Sequence, residues 1–94
     1  MKLRITDEAV NDLDDLWAWI AVDDVEAADR YVERLLGQSE RLLDYPELGR
    51  ARDDLSPGVR ALVHGECLIV YRVRDGELEV VRFVMGYRDV TKLF

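Results

Sequence analysis

Few residues in this sequence have side chains suited to catalysis or metal binding. His64 is the single histidine and Cys67 the single cysteine, which excludes an internal disulfide, a cysteine-based zinc site and the usual histidine ligands of catalytic metals. Cys67 lies in an apolar run, so we interpret it as a small core residue rather than a nucleophile. No glycine-rich loop has phosphate-binding spacing. We therefore expect no cofactor, no metal and no catalytic residue.

Charge is distributed unevenly along the chain. The net charge is −7; residues 1–48 carry 13 acidic and 5 basic side chains, and residues 49–94 carry 7 and 8. Proteins that bind nucleic acid through phosphate neutralisation are normally basic, so direct DNA binding by this chain alone is not expected. A protein partner is favoured. Most of the carboxylates lie on predicted helix surfaces, where exposure to solvent is sufficient to explain their presence.

Length and hydropathy indicate one domain over residues 1–94. The 94 residues lie within the usual size of a single-core domain. The longest apolar runs, Trp17 to Val22 and Cys67 to Tyr71, are much shorter than the roughly 20 residues of a membrane span. The N-terminus shows no secretory pattern. We expect a cytoplasmic protein that does not associate with a membrane.

The first half has helical periodicity. Thr6 is predicted to cap a helix that carries an apolar stripe from Ala9 to Ile20. Asp23, with Glu26 three residues later, resembles a capping box for a second helix, which runs to about Asp44. Pro46 ends that helix, because the residue before a proline is displaced from helical geometry. The short break predicts an antiparallel helical hairpin.

Strand patterns dominate the second half. Asp75-Gly76 is a strong signal for a two-residue hairpin turn with both residues at positive φ. The predicted strands are Lys2 to Thr6, Val59 to Val63, Cys67 to Arg74 and Glu77 to Met85. The two-residue turn sets the pairs Arg74–Glu77, Val73–Leu78, Arg72–Glu79, Tyr71–Val80, Val70–Val81, Ile69–Arg82 and Leu68–Phe83.

Both faces of this predicted hairpin are apolar away from its tip. One face carries Ile69, Tyr71, Val73, Leu78, Val80 and Val84, with Arg82 among them. The other carries Leu68, Val70, Val81, Phe83 and Met85. Because one helical hairpin covers one face, we expect the other to remain an open groove that binds a partner. The alternative is that the tail, Tyr87 to Phe94, folds back over it.

Arg82 lies on the face predicted to contact the helices. An unpaired buried arginine is costly, so a carboxylate from the first helix, most simply Asp12, is expected to form a structural ion pair with it.

The ordered motifs of the chain resemble those of the ParE toxins in the ParE/RelE superfamily. They are the Glu8 to Trp17 helix with Asp12-Leu13, PELGR at Pro46 to Arg50, PGVRAL at Pro57 to Leu62, LIVYRV at Leu68 to Val73, and VVRFVMGYRD at Val80 to Asp89. The resemblance implies an α+β fold in which an antiparallel helical hairpin packs on one face of a small twisted antiparallel sheet. It also implies the toxin of a type II toxin–antitoxin module, a non-enzymatic inhibitor of DNA gyrase. A ParD-like antitoxin would neutralise it in a hetero-oligomer.

The other branch of the superfamily consists of RelE-like ribonucleases that cleave messenger RNA on the ribosome. Aligned by motif, Arg60 and Arg88 match two of their basic positions. Leu62 and Leu68 stand at two others, and Phe94 stands where their tyrosine lies, so three positions cannot move protons or hold phosphate. His64 and Tyr87 are possible substitutes. The ribonuclease alternative is disfavoured for this reason. A third alternative is a partner-binding scaffold without toxicity.

These interpretations assign two sets of binding residues. The antitoxin is expected to contact Trp19, Arg60, Leu62, Leu68, Val70, Val81, Phe83 and Arg88, although Trp19 has the alternative of covering a helix edge. The target is expected to contact Arg88, Asp89, Lys92 and Phe94.

Overall fold

The computed structural model describes residues 1–86 and 90–94. Its elements are β1 (Lys2–Ile5), α1 (Asp7–Ala21), α2 (Val25–Asp44), β2 (Arg50–Ala51), β3 (Arg60–His64), β4 (Cys67–Arg74), β5 (Glu77–Met85) and a final 3-10 turn (Val90–Leu93). The five strands form one sheet in the order β1-β5-β4-β3-β2. The α+β class and the helical hairpin are as the sequence predicts. The sheet is mixed rather than wholly antiparallel, because β1 pairs parallel to β5.

The helix boundaries follow local capping. The Thr6 hydroxyl accepts a hydrogen bond from the Ala9 N–H at 3.2 Å and begins α1 as predicted. The cap of α2 is Asp24 rather than the predicted Asp23, and its carboxylate accepts from the Ala27 N–H at 3.0 Å. Both aspartates have suitable side chains, so the choice between them depends on the backbone of the connection.

The β4–β5 hairpin keeps the predicted register only near its turn. Asp75 and Gly76 have φ values of 54° and 75°, and the four pairs from Arg74–Glu77 to Tyr71–Val80 form as predicted. The next three predicted pairs are wrong, because the register shifts between Val70 and Tyr71. A β-bulge inserts one extra residue into one strand and reverses the faces beyond it.

Beyond the bulge the pairs are Val70–Arg82, Ile69–Phe83, Leu68–Val84 and Cys67–Met85. Phe83 therefore packs in the core beneath the helices, and Val84 packs on the opposite face. The sequence prediction had placed these two residues the other way round. Val73, predicted to face the helices, is exposed near the hairpin tip.

The second face of the sheet is closed by the chain itself, so the predicted open groove on this face is wrong. Leu68 and Val70 are buried there in a second apolar cluster, together with Leu55, Val59, Ala61 and Val90. Leu55 and Val59 come from the segment between β2 and β3, which folds over the sheet and is closed by the Arg52 N–H donating to the Val59 carbonyl at 2.8 Å. Val90, in the C-terminal tail, also packs on this face. This contact agrees with the alternative prediction that the tail folds back over the sheet.

Candidate functional site

An open groove lies between α1 and the end of β5. It has a volume of about 470 Å³, and Leu16, Phe83 and Met85 contribute apolar surface to it. Trp19 also lines the groove, with 76% of the residue exposed. The bulge in β5 creates this arrangement, because it directs Phe83 toward α1 instead of the opposite face. The most exposed aromatic side chain of the first helix, that of Trp19, therefore borders an apolar recess.

One end of the groove is fixed by an ion pair between α1 and β5. Arg82 donates from Nε to Asp12 Oδ2 at 2.7 Å and from Nη2 to Asp12 Oδ1 at 2.9 Å. Asp12 Oδ2 also accepts the Phe83 N–H at 3.0 Å. The hydrogen bond to Asp12 raises the pKa of the Arg82 guanidinium. The structure thus brings together the two residues that the sequence paired, and it adds a backbone contact that the sequence did not reveal.

Carboxylates form the rim of the groove. Asp15 and Glu66 both line it, and within residues 1–86 and 90–94 neither has a basic side chain at ion-pair distance. The guanidinium of Arg82 is occupied by Asp12. The groove therefore combines an apolar interior with a negative rim.

A second cluster immobilises the PELGR segment. The buried Tyr71 hydroxyl donates to the Pro46 carbonyl at 2.7 Å and accepts the Gly49 N–H at 2.8 Å. Burial raises the pKa of Tyr71. Arg60 donates to the Gly49 carbonyl at 2.8 Å. The sequence pattern did not predict this cluster. Its signal in the sequence was Tyr71, which follows a run of apolar residues in β4, together with Gly49, where a Cβ would lie 2.6 Å from Tyr71 Cε1.

His64 and Cys67, the two side chains best suited to catalysis, lie in surroundings that indicate a structural role. His64 packs its ring edge-on against Tyr31, with the centroids 6.1 Å apart. Cys67 is fully buried, and burial raises the pKa of its thiol to about 12. A thiol with that pKa is protonated at neutral pH and is a poor nucleophile.

The residues expected to contact an antitoxin do not form one exposed surface. Leu68 and Val70 are buried in the second cluster, and Phe83 in the first. Leu62 and Val81 are half-buried, and among the members of this set that the structure describes only Trp19 is largely exposed. Arg60 is half-buried and engaged with the PELGR segment. Arg88 lies outside the described residues.

The expected target-binding residues are also only partly described. Arg88 and Asp89 lie outside the described residues, whereas Lys92 and Phe94 are exposed. Tyr87, named above as a possible substitute in the ribonuclease alternative, also lies outside them. Val90 is buried against the sheet and anchors the segment that carries them.

The described part of the chain offers no cluster of three potential metal ligands. In the same residues, neither helix has the length and apolarity needed to span a membrane.

Comparisons with known proteins agree on one family. A family profile described as "ParE toxin of type II toxin-antitoxin system, parDE" matches residues 3–90. The chain is 35% identical over 69 residues to Toxin ParE1 of Mycobacterium tuberculosis, an alignment that covers 72% of this chain and 70% of that protein. It is 30% identical over 80 residues to Toxin ParE1 of Caulobacter vibrioides, covering 84% and 82% respectively.

A solved structure described as the chromosomal ParDE TA system from P. aeruginosa superposes with a TM-score of 0.77 at 26% identity. The superposition covers 90% of this chain and 95% of that one. Because the family profile spans nearly the whole sequence and the fold agrees with it, this chain belongs to the ParE toxin family of type II toxin–antitoxin systems.

Proposed function

We propose that this chain is a toxin that binds and inhibits DNA gyrase without catalysis, and that a ParD-like antitoxin neutralises it in a hetero-oligomer. Family membership supports the toxin role. The solved ParDE structure with the same fold supports an antitoxin partner. The net charge of −7 favours a protein target over direct association with DNA.

The observation that carries the non-catalytic assignment is the packing of the positions where a RelE-like nuclease has functional side chains. Leu62 packs against the core beneath the helices, and Leu68 is buried in the second cluster. Neither side chain can transfer a proton. Arg60 is held by the Gly49 carbonyl, which gives its charge a structural role. The site therefore favours inhibition by binding over RNA cleavage.

The tail is the part of the chain that we assign to the target. Lys92 and Phe94 are exposed at the end of the described segment, and Val90 anchors that segment in the second cluster. An exposed phenylalanine ring suits a protein interface, where aromatic residues are enriched. Arg88 and Asp89 belong to the same proposal through the family resemblance.

The test begins with expression of the chain alone from an inducible promoter. Gyrase inhibition predicts filamentation, DNA-damage signalling and messages of normal length. The purified chain should also inhibit ATP-dependent supercoiling by purified gyrase. Coexpression of the neighbouring antitoxin frame should restore growth. The double variant Lys92→Ala/Phe94→Ala should lose supercoiling inhibition, whereas Leu48→Ala, another exposed apolar position, should retain it.

Different outcomes contradict different parts of the proposal. Rapid loss of translation with cleaved messages would indicate a nuclease. Normal growth with a folded protein would indicate a scaffold. Undiminished inhibition by the Lys92/Phe94 variant would reject the tail as the target-binding element while leaving gyrase as the target.

A further inference from the structure

We propose that the tip of the helical hairpin, residues 19–25, is a second contact surface for the target and seats in an apolar recess on a basic surface of DNA gyrase. Val22 and Val25 would enter the recess, and Asp23 between them would face lysine or arginine side chains at its rim. This inference rests on the proposed function, because it specifies the surface chemistry of the same target. It adds a second binding element to the C-terminal tail.

The tip exposes apolar side chains that lie outside both apolar clusters of the fold. Val22, at the end of α1, and Val25, at the start of α2, are 84% and 53% exposed. Trp19, which lines the same open recess of about 420 Å³ as Val22, is 76% exposed. Neither valine caps a helix through its side chain, since the Asp24 carboxylate does this for α2. Exposed apolar surface of this extent is typical of a protein interface.

Hydrogen bonds fix the backbone of the tip and the position of the two helices beside it. The N–H groups of Asp23 and Asp24 both donate to the Ile20 carbonyl at 3.1 Å. The Trp17 indole donates from Nε1 to Asp29 Oδ1 at 2.7 Å and so joins α1 to α2. A surface that is ordered before binding loses less conformational entropy in the complex. The tip is therefore preorganised for contact with a partner.

The charge of the tip specifies a basic partner. Residues 5–29 include nine acidic side chains and no basic one, and Asp23 and Asp24 are both exposed within the tip. Gyrase must carry basic surface, because it neutralises the phosphates of the DNA that it supercoils. Carboxylates around an apolar centre are complementary to such a surface and accelerate association with it. A second copy of this chain would instead bring two acidic tips together, so charge disfavours self-association here.

The tip lies at the end of the molecule where the tail begins. Trp19 and Gly86 line the same groove between α1 and β5, and Gly86 directly precedes the tail in sequence. The tail is the element assigned above to the target. One partner surface can therefore span the tip and the point at which the tail begins.

The test measures binding of purified gyrase to the chain and inhibition of its supercoiling activity. Val22→Ser/Val25→Ser should weaken both by about 30-fold or more, since two apolar side chains lose their burial in the complex. The matched control is Val10→Ser/Val73→Ser, which replaces two valines that are 42% and 49% exposed outside the tip. The control should bind and inhibit like the wild type. Urea midpoints verify that every variant is folded.

Asp23→Lys tests the contribution of charge separately. It should slow association with gyrase by about 5-fold at low salt and reduce the salt dependence of the association rate. Asp23 is chosen because its neighbour Asp24 caps α2. Glu40→Lys is the control: it makes the same change in net charge at an exposed position in the second half of α2, and its association rate should equal that of the wild type.

The results separate this inference from the proposed function. If the wild type binds and inhibits gyrase and the tip variants do so equally well, the tip proposal is overturned and the gyrase assignment stands. If the valine variant retains gyrase inhibition but loses antitoxin binding or a wild-type dimer, the tip belongs to the antitoxin or to a second copy, and the proposal is also overturned. If the wild type neither binds nor inhibits gyrase, the proposed function fails and this inference fails with it.

Discussion

Replacement of Arg82 by alanine should destabilise the fold, because its guanidinium joins α1 to β5. The side chains of Arg82 and Asp12 are only 26% and 15% exposed, so the pair is partly desolvated and geometrically well formed. A hydrogen bond to a charged group contributes about 1.5–3 kcal/mol, and breaking a fully buried pair costs about 3–5 kcal/mol. Partial access to water reduces the cost, and we expect about 2 kcal/mol for Arg82→Ala.

Asp12→Ala should cost more, about 3 kcal/mol, because it leaves both the guanidinium and the Phe83 N–H without their acceptor. Arg82→Lys should recover part of the loss, since it keeps the charge but not the two-pronged geometry. Arg74→Ala is the control: its side chain is 59% exposed, and the nearest carboxylate, that of Asp75, is 4.0 Å away. Its effect should remain within about 0.5 kcal/mol.

The assay is urea unfolding followed by circular dichroism, with a common m value across the set. For a chain of this size, a loss of about 2 kcal/mol corresponds to a decrease in Tm of roughly 8–16 °C. An Arg82→Ala midpoint equal to that of Arg74→Ala would refute the structural role of the pair. If Asp12→Ala cost less than Arg82→Ala, the contribution assigned to the Phe83 N–H would be wrong.

Four further perturbations test other parts of the fold, mainly by the same unfolding assay. Gly37→Ala should stabilise the folded protein by up to about 1 kcal/mol, because Gly37 lies inside α2 with open space around it. Gly49→Ala should destabilise it by about 2 kcal/mol or more, since the new Cβ would lie 2.6 Å from Tyr71 Cε1. Tyr71→Phe should cost about 2 kcal/mol, because the buried Gly49 N–H loses its acceptor; equal midpoints for Tyr71→Phe and the wild type would contradict this. The unfolded Cys67 thiol ionises near its ordinary pKa of 9.0, whereas the folded one has a pKa of about 12. The wild type should therefore lose stability between these pH values relative to Cys67→Ala, and Cys67 should resist iodoacetamide until urea unfolds the chain.

Local signals account for the parts of the fold that could be predicted. Thr6 caps its helix, and Pro46 follows the end of α2 at Asp44. The Asp75-Gly76 turn imposes positive φ on both residues. Each of these features depends on a few neighbouring residues and on backbone geometry. The Asp12–Arg82 pair forms as predicted, because a charge among apolar neighbours requires a partner of opposite sign. The register behind that prediction is wrong at this position, since Arg82 lies opposite Val70 and not opposite Ile69.

The register beyond Tyr71 was not predictable in the same way. A β-bulge leaves no consistent mark in the sequence, and Val81 and Val84 are equally apolar on either side of Phe83. The structure, through one extra residue in β5, places Phe83 under the helices and Val84 on the opposite face. This shift moves Phe83 to the side of α1 and thereby forms the groove beside Trp19.

The sequence by itself determined the two helices, the hairpin turn, the acidic character of α1 and the family, because all of these depend on residue types in linear order. Only the tertiary structure decided where an apolar surface stays open. The sequence predicted a β-hairpin with two apolar faces and a helical hairpin that covers one of them. In the structure, Leu55 and Val90, which lie in segments distant from the hairpin in sequence, pack over the second face. Such closure depends on contacts between residues far apart in the chain, which no local pattern records. The open apolar groove therefore lies beside α1 and not on the second face of the sheet.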